Sequence, residues 1–574
     1  MPARGKLFLT FMVLIVFCAG VYIWQDKLFP PKETPKETAK NTTKETTGSK
    51  PNVSKSSDNA KDEAAVKPDG NKPEPIDPSE AAPRIDLAAP YVMKNNILEV
   101  DISEYAGYAG LIVANGGLAA NPDSYFAKEF GFQVQLTISE GENWGKLNNG
   151  KFAASATTVD VLAVLGRQFD VVVPFQIGYS RGADMIVVDR GISSINHLKG
   201  KVLAAAQFNE SEFFVRYLAQ EAGINVQVLR DLDTKPSPDQ IGLVFYEDAS
   251  IACKAYQFEL TSKTPRLAGC VGWSPYTDDV VEASKGRAKV LASNRNLLVV
   301  ADILCVNKAF AASNPKIVQG LVHGFLDGNR RVRENPEANI QTIATAFKWK
   351  PDETAEELKK VHLSNLPENL AFFAGTIDAA GSYGGIFQSS VLAYGSKILP
   401  NPADADRFVD LKYLKSCQAD GHYADQKIAI APIKTTDRQG IEGDALLTKN
   451  IRFLYEPNSA ALAKDSAENV QYLETIRRYL QVSPGSIVVL NGHVDNAQIE
   501  KFRKEGGEAL VRTMALKSME LSKQRAASVK AAMLEKYKGI DANRIETIGR
   551  GWEQPAGTDS SLNRRVEVQW FTIE

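Results

Sequence analysis

The sequence predicts an α/β protein: a large body of strands alternating with helices, followed by a second, smaller domain of strands and helices. Three observations carry this reading. At 574 residues the chain is long enough for two or three domains. From about residue 89 short β-branched runs alternate with segments of helical period, the pattern of α/β domains with largely parallel sheets. Two segments of unlike composition precede the body: an apolar run at residues 7–24 and a low-complexity run at residues 28–84.

The apolar run, Leu7 to Trp24, follows Arg4 and Lys6 and is long enough for one membrane-spanning helix. Its basic flank places the N-terminus in the cytoplasm and sends the rest across the membrane. A cleaved signal peptide is the alternative, but no small-x-small cleavage site follows, and Trp24 and Lys27 suit interfacial anchors. Residues 28–88 form a linker poor in aromatic and β-branched residues, which cannot bury enough surface to offset chain entropy and is expected to be disordered. Such a coil spans on the order of 40 Å.

In the body, residues 89–420, strands are expected at Ile97–Val100, Phe132–Leu136, Phe152–Ala154, Met185–Val188 and Lys201–Ala205. Helices are expected at Val159–Leu165, Ser211–Ala222, Pro315–Asn335, Asn339–Phe347 and Ala355–Val361. A linker at 421–448 leads to the C-terminal domain, 449–574, which opens with strand Ile451–Tyr455 and a helix from Ser459 to Leu480.

The C-terminal domain carries four motifs in series. They are Gly492-His493-Val494-Asp495 after the apolar run Ile487–Leu490, then Leu521-Ser522-Lys523-Gln524-Arg525-Ala526, then Arg544-Ile545-Glu546-Thr547-Ile548-Gly549, and last Asn563-Arg564-Arg565-Val566-Glu567. This order resembles the OmpA-like peptidoglycan-binding family. The resemblance implies an α+β fold of order βαβαββ that grips the diaminopimelate residue of a peptidoglycan stem peptide. Diaminopimelate presents an ammonium and a carboxylate on one stereocentre. By the resemblance Asp495 takes the ammonium and Arg525 the carboxylate, for which the planar guanidinium fork is suited. The chain departs from the family at Ala497 and Gln498, where a Gly is usual, and at Ser518, where an Asn is usual. It also holds extra residues near Lys501–Thr513. His493 is expected to be a turn or packing residue, and one of Arg564 and Arg565 to support the fold through an ion pair.

The body has its own resemblance. Ile192-Ser193-Ser194-Ile195-Asn196-His197-Leu198-Lys199-Gly200-Lys201-Val202 looks like the hinge region of periplasmic solute-binding proteins, and Gly272-Trp273-Ser274-Pro275 like their W-x-P element. Asn314–Val318, Val332–Ala338 and Phe408–Leu414 resemble their closing helices and tail. The branch resembled is that of sulfonate, taurine, nitrate and thiamine-precursor receptors. It implies a two-lobed periplasmic-binding-protein fold (type II-like) that closes on a small solute, with ligand groups from strand ends and helix N-termini. The candidates are Tyr105, Tyr108, Ser155, Thr157, Thr158, Asn209, Ser211 and Trp273; for each Ser, Thr or Asn, helix capping is the competing role. No cluster of Arg or Lys demands a phosphate or sulfate, and Glu104, Glu212 and Glu247 admit a cationic group. The solute is left open.

The formal net charge of −2 gives no reason to expect nucleic acid as a partner. The sequence has no GxSxG, HExxH or P-loop, so neither catalysis nor a metal nor a cofactor is expected. Cys253 and Cys270 are read equally as a disulfide or as buried thiols, and Cys18, Cys305 and Cys417 fit no metal pattern. The combined reading is a membrane-anchored solute receptor held at the wall, with a transporter or signalling protein as its partner. The alternative is a structural tether, because a single span plus an OmpA-like domain is also the layout of flagellar stator B subunits. Those carry an ionisable Asp in the span, which residues 7–24 lack.

Overall fold

The computed structural model describes residues 72–139, 144–377, 381–430, 445–456, 459–463, 466–483 and 485–572. The expected span at 7–24 lies outside the described residues, and among those described no helix is long and apolar enough to cross a membrane.

Two sheets make the body. The first has the order β12-β4-β11-β3-β1-β2, from β1 (Ile97–Ile102), β2 (Gln133–Ile138), β3 (Ala154–Thr158), β4 (Val171–Ser180), β11 (Ala301–Asn307) and β12 (Val361–Leu363). The second has the order β10-β5-β9-β6-β8-β7, from β5 (Asp184–Asp189), β6 (Val202–Ala206), β7 (Val226–Val228), β8 (Ile241–Tyr246), β9 (Gly269–Trp273) and β10 (Ala288–Ser293). Strands β3, β6 and β8 are buried along their whole length, as apolar strands covered on both faces should be.

The sheets are mixed rather than uniformly parallel, and the topology gives the reason. The chain crosses from the first lobe to the second between β4 and β5 and returns between β10 and β11. The first strand after each crossing, β5 and then β11, runs antiparallel to its neighbours. Of the other pairings, β1–β2, β1–β3, β6–β8, β6–β9 and β7–β8 are parallel, and the edge strand β12 pairs antiparallel with β4. The hinge therefore lies at 181–183 and 294–300. The Ile192–Val202 motif, expected to be the hinge, lies wholly within the second lobe between β5 and β6.

Asn294 ties the two crossings together. Its Oδ1 accepts from the Gly182 and Asp184 N–H groups at 2.8 and 3.2 Å, and its Nδ2 donates to Asp184 Oδ2 at 2.7 Å. Ser180 N donates to Val300 O across the same pair of segments.

Helices cover both sheets. Those that position the site are α1 (Ala109–Asn115), α2 (Val159–Leu165), α3 (Glu210–Glu221), α4 (Ala249–Glu259), α5 (Pro315–Glu334) and α6 (Tyr383–Ile398). Helix α6 straps the lobes together. Ser390 Oγ donates to Asp160 O on α2 at 3.1 Å, while Tyr394 OH donates to Asn209 O at the start of α3 at 3.4 Å. Residues 72–88, expected to belong to the disordered linker, lie along the body. Ile76 N donates to Phe245 O, Ser79 exchanges two hydrogen bonds with Gln207, and Gln168 and Asn148 hold Ile85 and Asp86. At the other end of the body, residues 421–430 turn back, and Glu368 Oε1 accepts from Ala429 N and Ile430 N.

The C-terminal domain has a four-stranded sheet of order β13-β16-β14-β15, formed by β13 (Leu447–Ile451), β14 (Ile487–Gly492), β15 (Ile545–Gly549) and β16 (Val566–Phe571). Helix α7 (Ala467–Val482) joins β13 to β14, and α8 (Ile499–Lys536) joins β14 to β15. With β16 following β15, the main elements run βαβαββ, and a short helix, Ser560–Asn563, precedes β16. The first strand begins ahead of the expected Ile451–Tyr455, because Leu447 to Ile451 are the residues that register with Trp570 to Val566. Tyr455 forms only an isolated bridge with Leu462.

This domain packs on the second lobe. Asn196 exchanges hydrogen bonds with Thr448 at 2.8 and 3.0 Å, Arg478 pairs with Glu221 at 2.7 Å, and Leu298 N in the hinge donates to Val482 O. Cys253, Cys270, Cys305 and Cys417 are free and buried, which resolves Cys253 and Cys270 as thiols; Cys18 lies outside the described residues.

Helices α1 and α5 meet at glycines. A Cβ built on Gly328 would lie 1.9 Å from Gly110 O, which is backbone and cannot rotate away. Gly328→Ala is expected to destabilise the body by about 3 kcal/mol, read from urea unfolding with an unchanged m-value.

Candidate functional site

A cavity of about 430 Å³ opens between the lobes. It is built from the C-terminal ends of parallel strands and the N-termini of α3 and α4, where an open α/β sheet leaves room for a ligand. From the first lobe come Asp101 on β1, Glu104, Tyr105 and Tyr108 after it, Thr157 and Thr158 at the end of β3, and Asp302 on β11. From the second come Asp184 on β5, Glu210 and Asp248 at helix starts, Lys254, Trp273 and Tyr276.

Of the eight residues expected from the sequence, the structure brings Tyr105, Tyr108, Thr157, Thr158 and Trp273 together on this cavity. Ser155 is buried behind it and donates to Asp101 Oδ2 at 3.1 Å, so it orients that carboxylate. Asn209 caps α3, accepting from the N–H groups of Ser211 and Glu212 at 3.1 and 3.4 Å. Ser211 is buried in the first turn of α3, outside the cavity lining. Glu212 is also occupied: its oxygens accept from Arg216 Nε at 2.7 Å and Phe208 N at 2.6 Å. Glu247 does not line the cavity, while Glu104 does and accepts from Trp349 Nε1 at 2.6 Å.

The residues missed by sequence reasoning are the buried carboxylates. Asp101, Asp184 and Asp302 are 4 %, 3 % and 2 % exposed, which for isolated Asp side chains is a costly placement. Their partners are neutral. Asp101 is held by the hydroxyls of Ser139 and Ser155, Asp184 by Asn294, and Asp302 by Tyr108 OH at 3.1 Å. Burial pushes Asp184 up to about 6, and burial reinforced by the Asp184 and Asp160 charges pushes Asp302 well above the ordinary carboxylate range. Asp160, at the start of α2 behind the cavity, is pushed up to about 7 by burial and by Asp184.

The aromatic wall is fixed by its own packing. Trp273 and Tyr276 meet edge to face at 6.0 Å, as do Tyr105 and Tyr108 at 5.4 Å. Burial, and behind it the Asp302 charge, raises both Tyr105 and Tyr108, so their hydroxyls stay protonated.

The second expected site lies on the C-terminal domain. Gly492 closes β14 against α8; a Cβ there would lie 2.0 Å from Ser522 O, so the close approach needs glycine. This brings the turn that carries Asp495 alongside the helix one turn ahead of Arg525. Asp495 Oδ1 accepts from Ala497 N at 3.1 Å, and Arg564 Nε stands 3.9 Å from Asp495 Oδ2. The Arg525 guanidinium lies over the Tyr455 ring, 5.0 Å from its centroid, and its Nε has no hydrogen-bond partner among the described residues.

His493 is buried, and burial together with Arg565 and Arg550 lowers it to about 4, so it is neutral and packed at physiological pH. Arg565 is the structural one of the two arginines, donating to Asn450 Oδ1 at 3.0 Å and Gln554 O at 3.2 Å. The extra residues near Lys501–Thr513 fall in α8, whose helical path is interrupted at Gly506–Gly507.

Residues 454–569 match the model of the OmpA family, so the C-terminal segment is an OmpA domain. A stretch of 57 residues is 46 % identical to Outer membrane protein A of Bordetella avium, covering 9 % of this chain and 28 % of that protein. The matched stretch is thus little more than a quarter of that relative's length.

The chain is also similar to solved periplasmic receptors. One is the periplasmic aliphatic sulphonate binding protein of Escherichia coli, at 16 % identity over 55 % of this chain and 92 % of that one, with a TM-score of 0.42. Another is the alkanesulfonate-binding protein of Xanthomonas axonopodis pv. citri bound to MOPS, at 13 % identity over 56 % and 99 %, TM-score 0.41. A third is the periplasmic nitrate-binding protein of Synechocystis PCC 6803, at 11 % identity over 58 % and 91 %, TM-score 0.42.

The raised carboxylates fix a pH dependence. Asp160 and Asp184 bind protons in the folded state at pH values where the unfolded chain has released them. Their contribution to stability is full below about pH 4 and is lost as pH rises to about 7. Asp160→Asn and Asp184→Asn are expected to flatten that fall, seen as a smaller difference in denaturation midpoint between pH 5 and pH 8 than in the parent.

Proposed function

We propose that the chain is an envelope protein that binds a small solute in the interlobe cavity and holds peptidoglycan through its C-terminal domain. On this reading residues 7–24 anchor it in the inner membrane, the body stands in the periplasm, and an inner-membrane transporter or signalling protein receives the solute. No catalytic step belongs to it. The observation that supports the solute half best is the cavity itself: its volume suits a small molecule, its walls come from both lobes, and the lobes join through two hinge segments able to close on a ligand.

The wall half is supported by the OmpA match and by the pairing of a carboxylate with a guanidinium on adjoining elements. The Tyr455 ring lies under the Arg525 guanidinium, while Asp495 sits at a turn closed by its own bond from Ala497 N. Arg564 lies 3.9 Å from Asp495, close enough to share that carboxylate until a ligand ammonium displaces it. Diaminopimelate supplies both complementary groups at once.

Co-sedimentation of the full chain with insoluble peptidoglycan tests the wall half. The chain is expected to pellet with diaminopimelate-type wall, and Asp495→Ala or Arg525→Ala to weaken this at least tenfold, about 1.4 kcal/mol. Pelleting that is unchanged in both variants contradicts the assignment. For the solute half, a ligand at a hundred times its Kd should raise stability by about 2.7 kcal/mol, and Trp273→Ala should abolish the rise.

A further inference from the structure

Resting on the reading of the cavity as a solute site, we infer that it takes a cationic organic solute, an ammonium or guanidinium compound, and that Asp101, Asp184 and Asp302 are the groups that recognise its charge.

The balance of charge on the cavity wall is one-sided. Six carboxylates among the described residues line it, from Asp101, Glu104, Asp184, Glu210, Asp248 and Asp302, against the one basic side chain of Lys254, which is solvent-exposed. Among the described residues neither Asp101, Asp184 nor Asp302 forms an ion pair with a Lys or Arg. Three buried carboxylates with only neutral hydrogen-bond partners are costly to ionise on their own, and an entering cation would supply the counter-charge that lets them do so.

A second observation points to a ligand independently of that charge. Thr157 is 3 % exposed and lines the cavity, and among the described residues its Oγ1 has no hydrogen-bond partner, nor has Oδ2 of Asp302. Unpaired polar atoms in a cavity wall are costly unless something enters to pair with them. A protonated amine donates to both a carboxylate and a hydroxyl oxygen.

At the starts of α3 and α4, side chains already occupy backbone donors that would receive an oxyanion. At the start of α3 the Asn209 side chain accepts from Ser211 N and Glu212 N. At the start of α4 the Asp248 side chain accepts from Ile251 N at 2.8 Å, and Glu210 adds a further negative charge to the first turn of α3. An incoming sulfonate or nitrate would meet carboxylates where it needs N–H groups.

The aromatic wall favours the same class. Trp273, Tyr276, Tyr105 and Tyr108 line the cavity beside the carboxylates, and an organic cation gains from an aromatic ring face as well as from a carboxylate. No group of three or more His, Cys, Asp or Glu side chains with metal-holding geometry forms among the described residues, so the arrangement fits a dispersed organic charge better than a coordinated metal ion.

The test is calorimetric titration and thermal shift of the full chain with putrescine, spermidine, agmatine and arginine, beside taurine, nitrate and sulfate. At least one amine or guanidine is expected to bind and the three anions to give no shift. Asp302→Asn and Asp184→Asn should each weaken the cation at least tenfold. Asp302→Asn is expected to melt no lower than the parent in the absence of ligand, because the amide keeps the shape and the Tyr108 hydrogen bond of a carboxyl that burial already holds protonated. Should either variant fail to fold, Glu104→Gln at the cavity rim is read in its place, with a loss of at least threefold.

Binding of taurine, nitrate or sulfate with no cation bound would overturn the charge inference and leave the solute reading standing. Cation binding of unchanged affinity in the carboxylate variants would overturn the assignment of the residues. A folded chain that binds neither class would overturn both this inference and the reading of the cavity as a solute site.

Discussion

Everything in the body depends on the chain crossing between its two sheets twice, side by side, and on the amide of Asn294 that ties the crossings. That one buried side chain satisfies the N–H groups of Gly182 and Asp184 and holds the Asp184 carboxylate. The first strand after each crossing has to run against its neighbours, which puts Asp184 at the start of β5 and Asp302 near the start of β11. Both then fall at the cavity end of their sheets: Asp302 lies beside Thr158, its register partner on β3, and Asp184 lines the cavity from the other lobe. The hinge and the acidic wall of the site are thus built from the same few residues. A movement of one lobe against the other would change the environment of Asp184 directly.

The C-terminal domain is joined to this machinery by more than a tether. It pairs with the second lobe through Asn196 and Thr448, adds the Arg478–Glu221 ion pair, and touches the hinge where Leu298 N meets Val482 O. Tyr479 donates to Glu221 O at 2.5 Å while stacking on Trp570, so the α7 face that contacts the second lobe is rooted in the core of the domain. The C-terminal domain therefore moves with the second lobe, and motion of the hinge relative to that domain is motion of the first lobe.

How much of this was legible in the sequence depends on which interactions set each feature. Helix Val159–Leu165 was read with its observed bounds, because a short apolar run after two threonines leaves little else for the chain to do. The C-terminal order of elements followed from four motifs in series, and its strand and turn geometry holds Asp495 and Arg525 on adjoining elements. Ser155, Asn209 and Ser211 were misplaced for one reason: small polar residues at strand ends and helix starts bind ligands or satisfy local donors, and here Ser155 serves Asp101 and Asn209 serves the α3 backbone. The buried carboxylates left no local signal. An Asp at the start of a strand looks like a solvated turn residue until the crossings bring it inside. The strand Ile451–Tyr455 was read too late because the register with β16, rather than the apolar pattern, sets where β13 begins.

The central claim is that one chain holds a wall peptide and a small solute at the same time, at two separate places. Native mass spectrometry of the intact chain, mixed with a diaminopimelate-containing muropeptide and a panel of organic amines, tests it most directly. The account predicts a species carrying one muropeptide and one amine, with the amine lost in Asp302→Asn and the muropeptide lost in Arg525→Ala. A chain that takes up the muropeptide but never a small solute, across amines and oxyanions alike, would contradict the account and leave a structural tether in its place.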